Sequence, residues 1–520
     1  MSFTIRTLRE DKPSRASGTS SVLRLFLRLS SPLHYFLRRF LAQQEEHRKH
    51  KERIHLLQRT IVVLVAILCA FLLFAGTVRA LVFLRGFGMN TLVRSTAAEL
   101  PKDAFGHTNI LLLGQGDNAH DGIDLTDTIM IASIDEKTKS VAMLSLPRDL
   151  YFLSTARMGK GRINSLYRDY KTALHAQGME ERDASQAAMR ELANEIGSAI
   201  DLNIHHILKV DFIGFVQAVD AIGGIDIEVP EDLVDTQYPG PNYTYETFQI
   251  DAGLQHLDGE TALKYARSRH STSDFARSAR QQQILQAVGD KVKTENILMK
   301  PNQILSLLKI LESHVETTLT VREMVGLAKL GKEVDRTKIL SLQLNDQNGL
   351  YGSFIEQGGF LYSPPRDQFG GAAVLLPVSI PEFPVTWRQV RAFVQLFAHE
   401  RAMHLEKAPI TILNAGAPSG SARILGGELA RYGLNIVDAR NAEGDDKDIS
   451  SLSGPQGSAS AQRLAELLHM PLVPNGTGLE ASVSSAASSA PPSPITITLG
   501  VDYGYRPLQD AVLPPPSPEE

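Results

Sequence analysis

Aspartates and arginines gather twice in this sequence, each time where element ends could bring them together. In the first cluster the loop 114–126 carries Asp117, Asp121 and Asp124, with Asp127 just after it and Arg148 beyond the next two strand-like runs. Those runs, Thr128–Ile134 and Ser140–Leu146, flank the turn Asp135–Lys139 and read as a hairpin. If Asp135 and Lys139 bracket the turn, paired residue numbers sum to about 274. Asp127 then faces Pro147, beside Arg148, so an acid and a guanidinium reach one end of one sheet. Carboxylates beside an arginine suit an anion that travels with a divalent metal. Mg²⁺ takes one or two carboxylates and leaves its other positions to water and phosphate oxygen, and arginine forks onto phosphate. The plainer alternative is a solvated turn with a surface ion pair worth about 0–1 kcal/mol. A calcium loop is excluded. Asp117, Asp121 and Gly122 fit an EF-hand's first, fifth and sixth positions, but Ala119 and Thr128 occupy its third and twelfth and the flanks are strands.

The second cluster is YARSRHSTSDFARSARQQQ, Tyr265–Gln283. On a helix beginning at Asp274, Arg277, Gln281, Leu285 and Val288 share a face, while Arg280 turns toward the opposite side. Arg277 and Gln281 therefore point inward, where charge is costly unless paired or serving a ligand. Arg267 and Arg269, two apart, share a face if extended. Such a gathering suits a pyrophosphate or polyphosphate, and an ion-pair network with Asp274 is the alternative.

The elements that must position these clusters alternate between strand and helix character up to about residue 380, which argues an α/β layered domain. Asn109–Leu113 (NILLL) reads as a buried strand ended by Gly114, Ile225–Val229 as a strand after Gly223-Gly224, and Ala184–Ile200 and Phe275–Lys291 as helices. The expected organisation is a cytoplasmic basic tail at 1–60, a transmembrane helix at 61–84 and a connector at 85–106. A catalytic α/β domain at 107–380, a helical linker at 381–407, a small α/β domain at 408–504 and a disordered tail at 505–520 follow. Within the small domain, Asn441–Ser460 and Ala481–Pro494 are polar and read as flexible loops.

Hydrophobic residues at 43% and charged residues at 21% exclude a wholly disordered chain and a multi-span membrane protein. The single cysteine, Cys69, excludes a disulfide framework and a cysteine zinc site. The net charge of −5 is unevenly spread: residues 1–60 hold 13 Lys+Arg against 5 Asp+Glu, and the remainder is correspondingly acidic. Ile61–Val78 is uncharged over 18 residues, and apolar character resumes after Arg79 to Leu84, enough to cross a bilayer. The positive-inside rule places the N-terminus in the cytoplasm of a single-pass plasma-membrane protein, with everything after about residue 85 extracytoplasmic. The basic amphipathic stretch Val22–Leu41 suits an anionic leaflet or a solvated tail. No DNA-reading unit surrounds it, so no nucleic-acid partner is expected.

Taken in order, NILLLG (Asn109–Gly114), LTDTIM (Leu125–Met130), LSLPRDL (Leu144–Leu150), GRINSLY (Gly161–Tyr167), VDAIGGIDIEVP (Val219–Pro230), LDGETALKYARSRH (Leu257–His270) and DFARSARQQQIL (Asp274–Leu285) resemble the LytR-CpsA-Psr family of cell-wall ligases. ILNAG and ITITLGVDYG within 409–504 resemble its C-terminal accessory domain. The resemblance implies a central mixed β-sheet flanked by helices in α-β-α layers. It also implies a transferase joining a glycopolymer from a polyprenyl pyrophosphate carrier to peptidoglycan by a phosphodiester, using Mg²⁺ or another dication such as Mn²⁺. By motif, Asp117 and Asp127 would hold the metal. Arg148, Arg267, Arg269, Arg277 and Gln281 would hold the pyrophosphate, with Asp127, Arg148, Arg267 and Arg269 catalytic. Two departures stand out: Leu125 occupies the place of a usual arginine, and Asp117 lies one residue further from Gly114 than the pattern has it. A pyrophosphatase using the same residues, and a wall-binding module or transcriptional attenuator without turnover, remain open alternatives.

Overall fold

The computed structural model describes residues 99–116, 124–240, 244–268, 274–295, 313–348, 355–380, 384–474 and 494–515, together with Ile310. The chain divides into two compact units, Met1–Ser95 and Thr96–Glu520, and every described residue lies in the second. The tail 1–60, the apolar span 61–84 and most of the connector 85–106 lie outside the described residues, as do Asp117, Asp121 and Arg269. Among the described residues no helix is long and apolar enough to cross a membrane.

A six-stranded sheet organises residues 107–343. Its strands are β1 (His107–Gln115), β2 (Thr126–Asp135), β3 (Ser140–Leu146), β4 (His206–Asp211), β5 (Val315–Thr317) and β6 (Ile339–Gln343), in the order β5-β4-β1-β2-β3-β6. The sheet is mixed: β1 pairs parallel with β4 and antiparallel with β2, and β3 pairs antiparallel with β2 and parallel with β6. The run NILLL belongs to the middle strand β1, where an unbroken apolar sequence is what burial of both faces demands. Helices α1 (Ile163–Ala176) and α2 (Glu181–Ile200) share one apolar cluster with the sheet. In α2 the buried Ala184, Ala188, Leu192, Ile196 and Ile200 recur every fourth residue, and Glu181 and Asp183 sit in its first turn, favourable against the helix dipole. Helices α3 (Phe212–Ala221), α4 (Gly259–Arg267) and α5 (Asp274–Thr294) enclose a second apolar cluster with the strands Ile225–Val229, Leu233–Pro239 and Tyr245–Ile250.

The β2–β3 hairpin differs by one from the sequence-based register. Asp135 pairs with Ser140 and Ile129 with Leu146, so four residues form the loop. Lys139 takes a left-handed φ of 58°, and the Asp135 carboxylate accepts from the Lys137 and Thr138 N–H groups. Carried past the last pair, this register sets Asp127 opposite Arg148 itself rather than Pro147.

The segment expected as a linker, 381–407, is built into the core. It contains α6 (Arg388–Val394), a π-helical turn Gln395–His399 and α7 (Ala402–Glu406). Phe393 and Phe397 are buried in the same cluster as Leu111 and Ile412. The C-terminal module is a five-stranded sheet of β7 (Ile410–Asn414), β8 (Ile436–Asn441), β9 (Ser451–Gly454), β10 (Leu472–Pro474) and β11 (Ile495–Leu499), ordered β8-β7-β11-β9-β10, with α8 (Ser421–Arg431) and α9 (Ala459–Leu467). Two expectations are corrected here. The polar stretch Asn441–Ser460 contains strand β9, anchored by the fully buried Leu452. The tail read as disordered from residue 505 contains α10 (Leu508–Val512): Leu508 is buried, its N–H donates to Glu428 Oε1 at 2.6 Å, and Arg388 forks onto Asp510.

Candidate active site

Asp127 stands in the first turn of pleat of β2, at the sheet end to which Arg148 returns after β3. Arg148 Nη1 donates to Asp127 Oδ2 at 3.3 Å. The other carboxylate oxygen, Oδ1, accepts from Asn164 Nδ2 at 3.0 Å. Asn164 is the second residue of α1 and is buried; its own N–H donates to the Arg148 carbonyl, and Thr126 Oγ1 donates to the Asn164 carbonyl. The strand before Asp127, the segment after β3 and the start of α1 are thereby tied to one another through main chain as well as side chain. Gly114, beside this point on β1, has to be glycine because a Cβ there would lie 2.9 Å from Thr128 Cβ.

Arg277 reaches the same place from α5. It is buried and its Nη2 donates to the Asp127 carbonyl at 3.4 Å. Gln281, one turn on, donates to the Ala266 carbonyl and holds α5 against the end of α4. Arg267, at that end, stacks its guanidinium 4.3 Å from the Phe212 ring centroid and 5.6 Å from that of Tyr238. Phe212 opens α3 directly after β4, and its ring also borders Gly116 at the end of β1. Asp127, Arg148 and Arg277 thus meet directly, while Arg267 and Gln281 join through α3 and α4. Asp117 and Arg269 are outside the described residues, and of the Asp274 side chain nothing is described.

Two sequence-based placements change. Arg280, assigned to the outward side, is buried and donates to the carbonyls of Tyr265 and Ser268, while Leu285, assigned inward, is 37% exposed. The single-face analysis fails because α5 is covered on more than one side, by α4, β6 and the strand Ile225–Val229. Burial lowers the Arg280 pKa, with Tyr265 and Asp235 opposing. Ser268 in turn donates to Asp235, so Arg280 and Asp235 together fix the end of α4. Asp124 also turns away from the arginines: its carboxylate accepts from Gln115 Nε2 at 2.9 Å and Lys171 Nζ at 2.8 Å. Burial opposes the charge on Lys171, but its bonds to Asp124 and Glu181 outweigh this and raise its pKa. Asn164 was not singled out from sequence; the available signal was an amide set among Ile163, Leu166 and Tyr167, positions a helix would bury.

Asp127 has the donor chemistry of a hard dication's ligand. Its carboxylate side chain is 42% exposed and offers the hard oxygen donors that such a dication takes. Asp124 is the more enclosed of the two, its side chain 18% exposed between Gln115 and Lys171. A partly open carboxylate bonded to Arg148, with Arg277 on the carbonyl of the same residue, stands at the end of the mixed sheet.

The chain belongs to the LytR_cpsA_psr family, whose model matches residues 90–368. Residues 407–503 match the domain described as LytR cell envelope-related transcriptional attenuator. Among curated relatives the chain is 26% identical over 407 residues to the cell wall biosynthesis protein LcpA of Corynebacterium glutamicum, covering 72% of each. It is 27% identical over 262 residues to the polyisoprenyl-teichoic acid–peptidoglycan teichoic acid transferase TagV of Bacillus subtilis, covering 49% of this chain and 60% of TagV. The crystal structure of B. subtilis TagV aligns with 56% of this chain and 97% of its own at 24% identity and a TM-score of 0.41.

Proposed function

We propose that this protein is a phosphotransferase that moves a glycopolymer from a polyprenyl pyrophosphate carrier to peptidoglycan, forming a phosphodiester, at the outer face of the plasma membrane with Mg²⁺ or a similar dication. The observation that carries the proposal is the seating of Asp127 between Asn164 and Arg148, with Arg277 bonded to its carbonyl. Membership of a family that includes a named teichoic acid transferase supports the reaction class.

The reaction requires a sugar hydroxyl to attack a phosphorus already crowded by negative oxygens. Catalysis is then chiefly positioning and charge compensation. Arg148 and Arg277 supply fixed positive charge at the sheet end, and Arg267, over the Phe212 ring, would supply more, with Arg269 and Gln281 assigned to the same anion. Asp127 and Asp117 are the carboxylates that would hold the dication, which when bound would neutralise developing charge on phosphate oxygen. Asn164 keeps the Asp127 carboxylate from swinging fully onto Arg148 and so preserves a face for that dication.

The test uses full-length protein in detergent with a labelled polyprenyl-pyrophosphate-linked sugar and Mg²⁺, with and without peptidoglycan oligomers. Donor consumption that depends on the acceptor is expected. Equal consumption without acceptor would replace transfer by hydrolysis, and no consumption in either case would leave a binding module.

A further inference from the structure

At the opposite end of β1 from Asp127, three ligating side chains converge. Asp103 precedes the strand, His107 opens it, and His399 ends the π-helical turn before α7. Each brings one ligand atom within 4.8 Å of the other two. The side chains of His107 and His399 are over nine-tenths buried, and no hydrogen bond reaches His107 Nδ1 or His399 Nε2.

The hydrogen bonds around His399 fix which nitrogen carries its proton. Glu400 Oε1 accepts from Gln395 Nε2 at 3.1 Å, which turns the Gln395 carbonyl oxygen toward His399 Nδ1, 3.1 Å away. Nδ1 is therefore the N–H, and Nε2 presents a lone pair. That lone pair faces Asp103 Oδ2 at 3.4 Å. The Asp103 carboxylate is itself immobile: Oδ1 accepts from the Phe105 and His107 N–H groups, and Oδ2 accepts from Asn109 Nδ2. Two acceptors held face to face out of water repel unless a cation lies between them.

Two imidazoles and a carboxylate are a ligand set for a borderline dication, and the Gln395 carbonyl oxygen on the other ring nitrogen holds His399 in that orientation.

We propose that Asp103, His107 and His399 bind one transition-metal dication, zinc by preference, with water as the fourth ligand. Such a site would clamp two segments distant in sequence: the chain entering β1, and the turn leading to the C-terminal module. Glu400 also binds Arg463 of α9, so the orienting chain of His399 extends into that module.

Full-length protein in detergent, stripped with a chelator and dialysed against micromolar Zn²⁺, should retain one zinc per chain by mass-spectrometric metal analysis. Co²⁺ in its place should give the intense visible bands of a tetrahedral site. Asp127→Asn should keep the zinc, whereas Asp103→Asn and His399→Gln, each verified as folded by circular dichroism, should lose it. Wild-type protein retaining no zinc would overturn the proposal without reference to any variant. Zinc retained by both variants, or lost with Asp127→Asn alone, would overturn it equally, since the metal would then lie elsewhere.

Discussion

Asn164 Nδ2 lies 3.0 Å from Asp127 Oδ1, a bond between the first turn of a helix and the first residues of a strand that are brought together only by the fold. It makes a buried amide the partner that aims a partly exposed carboxylate. Removing such an orienting partner typically costs 10–100-fold in activity. Asn164→Ala should therefore lower kcat for transfer by about that factor. The Mg²⁺ concentration giving half-maximal rate should rise at the same time, a shift that simple loss of folded protein would not produce.

Arg148 faces Asp127 from the opposite side and offers a planar fork that lysine cannot reproduce. Arg148→Lys and Arg148→Ala should both lose about 10²-fold or more in turnover, the size of a lost charge-stabilising donor. Steady-state rates with a fixed donor check this; a lysine variant with near-native rates would assign Arg148 to the ion pair alone.

Arg401 is buried and donates to the carbonyls of Ser133 and Ala398 and to Ser133 Oγ, joining the β2–β3 hairpin to the turn before α7. Arg401→Met fills similar space but strands these acceptors, each worth about 1–3 kcal/mol when left unsatisfied. Denaturant unfolding should show a loss in that range or above.

Leu508 anchors the terminal helix in the main apolar cluster. Leu508→Ala should cost about 2–5 kcal/mol, as for other leucines cut back in a packed core. Thermal melts of the purified protein test this directly, and an unchanged melt would return residues beyond 504 to the status of a tail.

His404 is buried and donates to the Tyr432 carbonyl at 2.7 Å; burial pushes its pKa down to about 4, with that bond opposing. In the unfolded chain it titrates near 6.5. Because the unfolded chain takes up the proton first, stability is fully present above pH ~6.5 and falls as pH drops toward 4, by up to about 1.4 kcal/mol per pH unit from this group. Urea midpoints measured across that window should fall toward acid, and His404→Gln should flatten the slope.

Much of the site was legible because the chemistry and the strand period act locally. Asp127 and Arg148 flank one hairpin, so their meeting followed from strand spacing, and the error of one in register came from a left-handed Lys139 that nothing but the folded loop reveals. Arg277 was correctly placed inward, since burying a charge beside apolar neighbours demands a use. Arg280 and Leu285 were exchanged because α5 touches several elements, and a single-face pattern assumes one. Asn164 escaped notice because its partner lies 37 residues away, and a lone amide carries no signal of its own. Strand β9 and helix α10 are only four and five residues long, too short to carry a period, and each is anchored by a buried leucine within the assembled core.

The central claim is transfer of a sugar phosphate to wall glycan at the Asp127–Arg148 site. The most direct measurement locates the label by mass spectrometry after full-length protein, labelled polyprenyl-pyrophosphate-linked sugar, Mg²⁺ and peptidoglycan oligomers are incubated together. The account predicts sugar phosphate covalently joined to glycan with the wild-type protein and its absence with Asp127→Ala or Arg148→Ala. Label recovered only as free sugar phosphate, or left on the carrier by the wild-type protein, would contradict it.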